Sequence, residues 1–327
     1  MVLIISQPND LSTVHIIDWI NNSDVLFCRV NSTDKFASRS LKFGKNQKIE
    51  WTIELRGRSF NIDDITSIWI RRGEFNLVNV YEQENMTESL DRGIRHHLQN
   101  EMDSLEGSMH FLVESHRCLG RAASHIDKLT VLLCARNRGI DIPQTLVTSD
   151  DTEIENWLAE GQRIITKSIS NNFVKLSEDN SEEVKSWITY TEEITGFNKD
   201  QNQRRFPSLI QEKLDKDFEL RIFFLGGEFY SMAIFSQLDE QTSTDFRRYN
   251  HKNPNRMVPF DLPEEISAKL KSLMEKLDLN TGSIDMVVTR DKRFVFLEVN
   301  PMGQFGMVSM PCNYNLEKKI AQFLTCK

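Results

Sequence analysis

The stretch from Ser283 to Pro301 constrains this chain more than any other. Two apolar-rich runs, Ile284 to Thr289 and Phe294 to Val299, flank the charged tetrapeptide Arg290-Asp-Lys-Arg293, the sequence form of a β-hairpin with a short loop. With Thr289 paired to Phe294, counting back along both strands sets Asp285 directly opposite Glu298, and Asn300, two residues on, shares their face. Two carboxylates facing each other across a strand pair repel unless a cation lies between them. Hard oxygen donors that leave room for water and phosphate suit Mg²⁺. Asp285, Glu298 and Asn300 are therefore the expected metal ligands, with Pro301 stopping the strand at Asn300.

The chain has 327 residues, enough for a sizeable core divided into two or three domains or subdomains. It reads as soluble. Hydrophobic residues make up 39%, the mean hydropathy is −0.43, and no long apolar run occurs, so no membrane partner is expected. Met1-Val-Leu-Ile-Ile5 soon meets Gln7, Asn9 and Asp10, as a buried first strand does and a signal peptide does not. A net charge of −8 argues against nucleic acid as the main partner, because phosphate backbones need concentrated Lys and Arg. Cys28, Cys118, Cys134, Cys312 and Cys326 form no C-x-x-C pair. Neither a zinc site nor a disulfide framework follows, and a reduced cytoplasm is the expected compartment.

Residues 1–118 read as an N-terminal α/β domain, with strands near 2–5, 25–30, 49–55 and 65–71, a helix at Leu11–Asn21 and a polar hairpin region around 36–43. In Ile68-Trp-Ile-Arg-Arg72 an apolar strand ends in adjacent arginines. Arg71 and Arg72 are either surface charge or a clamp for a carboxylate or phosphate. Leu90, Ile94, Leu98, Met102 and Leu105 recur at helical spacing and are expected to face a core.

Residues 119–198 form the expected central part, with a helix from Ile126 to Ala135, a strand at Gln144–Thr148 and a helix begun by the capping pair Ser149-Asp150. The strand Arg163–Ile169 then sets Lys167 among apolar neighbours, where a lysine usually meets an anion. Asn171 to Ser186 is a polar hairpin or flap, and Ile188–Thr195 a strand with an acidic end. Residues 199–327 form the expected C-terminal part. Its strand at Ser208–Leu214 precedes a hairpin of Phe218–Leu225 with Glu228–Phe235 across Gly226-Gly227, then a helix from Pro263 to Leu277, the opening hairpin and a helix at Leu316–Leu324.

Together these pieces supply a nucleotide site. Lys128 and Lys167 neutralise phosphates, the Gln211-Glu212-Lys213-Leu214 edge reads adenine through backbone groups, Glu219 takes ribose hydroxyls and the acidic hairpin takes Mg²⁺. The Gly-rich signatures G-x-x-x-x-G-K-[ST] and G-x-G-x-x-G are both absent, which disfavours P-loop and Rossmann readings.

The order of these parts resembles the ATP-grasp superfamily over roughly residues 119–327. It is carried by Lys128, Lys167, Gln211 to Leu214, Glu219 and Arg221 in Glu-Leu-Arg, Arg247 in Asp-Phe-Arg-Arg-Tyr, and Asp285, Glu298 and Asn300. The resemblance implies an α+β / α/β chain in which an N-terminal α/β domain precedes two subdomains that grip an adenine nucleotide, the last of them an antiparallel sheet. A narrower resemblance, to the graspetide synthetases (microviridin-type cyclases and grasp-with-spasm maturases), rests on Phe296-Leu-Glu-Val-Asn-Pro-Met-Gly-Gln-Phe-Gly306, Ser309-Met-Pro-Cys-Asn-Tyr314 and Ile68-Trp-Ile-Arg-Arg72. It implies an ADP-forming ligase that uses ATP and Mg²⁺, with two ions expected. Such a ligase joins Asp or Glu side chains of a ribosomal precursor peptide, leader plus core, to Ser or Thr hydroxyls or Lys amines.

In that chemistry Arg221 and Arg247 join the lysines and Mg²⁺ around the transferring phosphoryl group. No clear general base emerges from Asp217, Asp245 and His251. By resemblance Glu192 and Glu193 are leader-contact candidates, against a solvated acidic strand end, and Arg71 and Arg72 are candidates for orienting acidic core residues. Two further readings stand beside this one: a glutamate ligase acting on a protein or peptide tail, and a non-catalytic peptide-binding protein of the same fold. A homodimer is left open.

Overall fold

The computed structural model describes residues 1–45, 49–73, 76–78, 91–120, 126–170, 173–177, 184–188, 191–196, 206–236 and 255–326. In chain order the elements begin β1 (Val2–Ser6), α1 (Leu11–Ile20), β2 (Phe27–Asn31), β3 (Ala37–Phe43), β4 (Ile49–Leu55), β5 (Arg58–Asn61), β6 (Ser67–Ile70), α2 (Arg92–Glu114) and β7 (Arg117–Leu119). Then follow α3 (Lys128–Arg136), β8 (Thr145–Thr148), α4 (Asp151–Ala159), β9 (Ile164–Lys167), β10 (Phe173–Ser177), β11 (Val184–Ile188), β12 (Glu192–Ile194), β13 (Ser208–Glu212), β14 (Lys216–Leu225) and β15 (Glu228–Phe235). The chain ends with β16 (Arg256–Phe260), α5 (Glu264–Lys276), β17 (Thr281–Thr289), β18 (Phe294–Asn300), α6 (Gly306–Cys312) and α7 (Leu316–Thr325). The chain divides into two compact units, one of Met1–Ser124, Gln304–Met310 and Tyr314–Lys327, the other of His125–Gly303 and Pro311–Asn313.

The first unit holds a parallel sheet in the order β2-β1-β6-β7 and an antiparallel one in the order β3-β4-β5. Every residue of β1 is buried, as suits an apolar strand paired in parallel on both sides. Asp10 starts α1 by accepting the Ser12 amide at 3.0 Å. Ile5, Trp51, Ile53, Ile68, Met109 and Val113 are among the buried side chains of the core. The helix expected across Leu90 to Leu105 begins its described span at Arg92. It buries Met109 and Val113, half-buries Met102 and Leu105, and leaves Ile94 49% exposed. Ile94 is therefore not a core contact, and Leu90 lies outside the described residues. Length explains the difference: the 23 residues of α2 run about 34 Å, whereas strands of four or five residues span only about 15 Å. In the same unit Ser67 Oγ donates to the Leu324 carbonyl at 2.6 Å, fastening α7 to β6.

The second unit holds antiparallel sheets in the orders β12-β9-β13-β8 and β16-β15-β14-β17-β18, and the hairpin of β10 with β11. Ile154 of α4 is buried with Ile164 and Ile210 of the first sheet, and Trp157 and Leu158 pack beside it. One face of the five-stranded sheet packs against α3 and α5, joining Leu220, Ile222, Ile284, Met286 and Phe296 to Val131, Leu132, Leu270 and Leu273. Strand alternation then turns Glu219, Arg221, Ser283 and Asp285 to the opposite face. The β14–β15 turn needs its glycines, since Gly226 and Gly227 have φ of 56° and 104°, the positive pair a two-residue hairpin requires.

Candidate functional site

Asp285 lies directly opposite Glu298, and Ser283 opposite Asn300. The expected cross-strand carboxylate pair forms, though not by the expected register. Phe294 pairs with Val288 rather than Thr289, Met286 pairs with Phe296, and the register then shifts before Asp285. Leu297 is the extra residue, a β-bulge that returns the strand to the count of the simple hairpin. Without the bulge Glu298 would have been offset from Asp285, since one residue of slip exchanges the faces.

Both carboxylates meet cations of the protein itself. Arg221, opposite Asp285 on the neighbouring strand, donates from Nη1 to both Asp285 oxygens at 2.9 and 2.8 Å. Lys128 Nζ donates to the Ser168 carbonyl at 2.9 Å and stands 3.7 Å from Glu298 Oε2. Two local causes put Lys128 there. Asp127 caps α3, accepting the Thr130 amide at 2.8 Å, so Lys128 is the first helical residue. Strand β18 is the edge of its sheet, so a side chain at that helix start can reach it. The Thr130 hydrogen bonds hold the Asp127 carboxyl below its ordinary value. Lys167 ends β9 opposite Leu209, half-buried and one residue from the carbonyl that holds Lys128.

Past Asn300 the chain closes a tight turn. Asn300 Oδ1 accepts the Met302 amide at 3.0 Å, and the Gly303 amide donates to the Asn300 carbonyl at 3.0 Å. A β-carbon on Gly303 would overlap Ser283 Oγ, Cβ and N, so only glycine fits against that strand. Ser283 is 2% exposed and its hydroxyl has no partner among the described residues. Sequence reasoning missed Ser283 and Gly303; a glycine two residues past the proline that stops a strand is the signal that marks such a turn.

The Gln211–Leu214 edge takes in the last two residues of the central strand β13, between β9 and β8, and the two that follow it. Gln211 is buried, and its Nε2 donates to Thr145 Oγ1 at 2.9 Å while its Oε1 has no partner among the described residues. The Glu212 amide donates to the Gln144 carbonyl at 3.1 Å and the Lys213 amide to the Arg163 carbonyl at 2.7 Å. Those two amides are committed within the protein. Lys213 and Arg163 both pair with Glu193, and the Lys213 hydrogen bond holds the Glu193 carboxyl below its ordinary value. Glu192 lies opposite Thr166. Glu219 is buried and accepts from Lys216 Nζ at 3.0 Å and from Ser236 Oγ at 2.8 Å. Asp217 pairs with Lys292 at 2.6 Å. Arg247, Asp245 and His251 lie outside the described residues.

In the first unit Arg71 is 4% exposed. Its Nε donates to Asp10 Oδ2 at 3.1 Å and its guanidinium lies over the Phe305 ring, 5.4 Å from the centroid. Burial pulls Arg71 below the ordinary arginine value, against the opposing charge of Asp10. Arg72 is more open, with Nε 3.8 Å from the same Asp10 oxygen. Ser309, from the second quoted motif, accepts the Leu316 amide at 3.0 Å and thereby caps α7.

The face of the hairpin away from the core thus gathers two carboxylates in register, a carboxamide, a hydroxyl and two cationic side chains. Among the described residues no three His, Cys, Asp or Glu side chains converge; the donors gathered here are the two carboxylates of Asp285 and Glu298, the Asn300 carboxamide and the Ser283 hydroxyl, which are hard oxygen groups. The buried Ser283 Oγ and Arg221 Nε, without partners among the described residues, fit a site that receives a hydrated cation and its anion.

Solved structures share this architecture end to end. The chain is similar to the RiPP-associated ATP-grasp ligase of Chryseobacterium gregarium, solved in complex with ADP and a leader and core peptide, at 24% identity and a TM-score of 0.70 over 99% of this chain and 94% of that one. It is also similar to the macrocyclase MdnC of Microcystis aeruginosa, bound with precursor peptide MdnA, at 24% identity and a TM-score of 0.70 over 99% of each. The macrocyclase MdnB of the same organism matches at 20% identity and a TM-score of 0.68, over 100% of this chain and 99% of that one. No family model and no curated protein matches the chain. The mixed α/β fold expected from the sequence is observed, and the chain shares the fold of these solved ligases over 99% of its length.

Proposed function

We propose that the chain is an ATP- and Mg²⁺-dependent macrocyclase of a ribosomally made precursor peptide. The observation that supports this best is the Asp285–Glu298 cross-strand pair with Arg221 and Lys128 against it, in a fold shared with ligases solved with ADP and peptide. The fold alone would suit several carboxylate ligations. The peptide substrate is inferred from those relatives and from the Asn300–Gly306 stretch that closes the hairpin.

A carboxylate is a poor acyl donor near neutral pH. Transfer of the terminal phosphoryl group of ATP to an Asp or Glu side chain of the peptide releases ADP and makes that carbonyl electrophilic. Attack by a Ser or Thr hydroxyl or a Lys amine then expels phosphate and closes an ester or amide ring with net loss of one water. Asp285, Glu298 and Asn300 would hold the cation, two ions being our assignment, which supplies charge neutralisation at the phosphate oxygens. Lys128 and Lys167 would meet the phosphates. The Gln211–Leu214 edge would take adenine, relying on groups other than the committed Glu212 and Lys213 amides, and Glu219 the ribose.

Arg221 is assigned to the transferring group, and Arg247 likewise on the sequence alone. Arg71 and Arg72 are assigned to acidic residues of the core peptide, with Asp10 already balancing one of them, and Glu192 and Glu193 to the leader. We retain the division into 1–118, 119–198 and 199–327 as the functional parts. Much of the acceleration would come from holding acceptor and acyl carbon together.

The test is to incubate the protein with ATP, Mg²⁺ and the precursor peptide encoded beside it and weigh the peptide. Each ring removes one water. A peptide that gains mass, or is unchanged despite measured binding, overturns the proposal.

A further inference from the structure

Arg221 and a metal ion would need the same oxygens of Asp285. The Arg221 contact is made by one nitrogen: Nη1 reaches both carboxylate oxygens, at 2.9 and 2.8 Å. That is not the fork-to-fork geometry in which two guanidinium nitrogens each take one oxygen, the stronger and more specific arrangement. The guanidinium is turned so that Nε, although buried, has no partner among the described residues. Both side chains are mostly buried, at 12% and 17% exposed, so water compensates little for the missing bond. Arg221 therefore holds Asp285 in an arrangement that leaves part of its own donor set unused.

Lys128 is placed differently. Its short contact is to the Ser168 carbonyl, and Glu298 stands farther away at 3.7 Å. A cation entering beside Glu298 need not displace that ammonium, whereas one binding Asp285 must take an oxygen that Arg221 now holds. Divalent ions such as Mg²⁺ demand close oxygen contacts, and a guanidinium sharing that carboxylate repels the incoming charge.

We propose that Arg221 is a partner-exchange residue. Asp285 accepts either the guanidinium or the divalent cation, and cation binding turns Arg221 off Asp285, freeing its donors for the phosphate oxygens that accompany the metal. This rests on the reading of Asp285 and Glu298 as the cation site. The two equilibria are then reciprocally linked: what weakens the Arg221–Asp285 pair tightens the metal, and the metal loosens the pair.

The test uses the full chain and Mn²⁺ alone, without nucleotide or peptide, with free Mn²⁺ followed by electron paramagnetic resonance. Arg221→Gln is expected to bind Mn²⁺ about tenfold tighter than wild type, within the usual range for coupled sites, while Lys128→Gln tightens it clearly less. In wild-type protein the side-chain ¹⁵N resonances of Arg221 are expected to shift on adding Mg²⁺. Circular dichroism confirms that each variant is folded. Equal affinity in Arg221→Gln and wild type, with Asp285→Asn still abolishing binding, overturns the exchange and leaves the cation site standing. Equal tightening by both Gln variants also overturns it, because removal of charge at a distance would then suffice. Mn²⁺ binding that Asp285→Asn does not weaken, or no binding to any variant, overturns the cation site itself and the exchange with it.

Discussion

Lys128 Nζ donates to the Ser168 carbonyl at 2.9 Å and stands 3.7 Å from Glu298 Oε2, so one ammonium ties the first turn of α3 to the end of β9 and to the edge strand β18. In the proposed nucleotide site this ammonium meets a phosphate oxygen. A charge-assisted bond of this kind contributes about 1.5–3 kcal/mol. Lys128→Ala is therefore expected to weaken binding of a non-hydrolysable ATP analogue by about tenfold to a hundredfold. Calorimetry measures it, and unchanged affinity would remove Lys128 from the nucleotide site.

Glu298 sits on an edge strand and Asn300 at its exposed end. Neither belongs to the buried core. Glu298→Ala and Asn300→Ala are expected to abolish ring formation, with losses on the order of a hundredfold or more, and to leave the melting temperature nearly unchanged. Peptide mass and thermal unfolding are read on the same samples. Turnover retained in both variants would mean that the metal ligands are misassigned.

The strands and helices around this site were legible because their periodicities are clean, as in Phe218–Phe235, where alternation and Gly226-Gly227 leave little freedom. The carboxylate pair was legible in outcome but not in cause. Phe294-Val-Phe-Leu297 is apolar throughout, so no alternation marks where the bulge falls, and the assumed Thr289–Phe294 pair was one residue away from the observed register. Arg221 and Asp285 lie 64 residues apart, and pairing between strands that distant is set by sheet order, which local pattern does not contain. Helix α6 was hidden because Pro311 lies inside it, where a proline ordinarily argues against helix. The exposure of Ile94 escaped because periodicity gives the direction of a side chain and not whether anything stands opposite it.

Gly303 packs against Ser283 where a β-carbon would overlap both side chain and backbone. Because the amide of Ser283 itself is in the way, the clash is not relieved by a side-chain rotation. Gly303→Ala is expected to destabilise the chain by about 1–3 kcal/mol and to disturb the turn that holds Asn300. Urea unfolding measures the first effect and Mn²⁺ affinity the second. Wild-type stability in Gly303→Ala would show that the turn opens at little cost.

Arg71 and Asp10 form an ion pair with side chains 4% and 5% exposed. Removing one partner of such a pair leaves the other charge buried, at a cost of about 3–5 kcal/mol. Arg71→Ala is expected to fall in that range. The double replacement Arg71→Met with Asp10→Asn, which keeps a capping side chain on α1, is expected to recover most of the loss. Chemical denaturation of the two variants separates a buried structural pair from a surface one, for which both changes would be nearly silent.

The α3 cap links stability to pH in a way that can be signed. Asp127 accepts the Thr130 amide at 2.8 Å, and the Thr130 hydrogen bonds hold its carboxyl below the ordinary value. A depressed carboxyl contributes stability that is fully present above the unfolded value of about 3.9 and is lost as pH falls through the lower folded value. Asn caps a helix about as well as Asp but does not titrate. Asp127→Asn should therefore match wild type to within a few tenths of a kcal/mol at pH 7, and lose less stability than wild type as pH falls below about 4. Asp127→Ala should cost about 1 kcal/mol at pH 7. Denaturant titrations between neutral and acid pH measure all three proteins. Parallel acid limbs for wild type and Asp127→Asn would mean that the carboxylate does not carry the cap, and that the placement of Lys128 at the helix start has another origin.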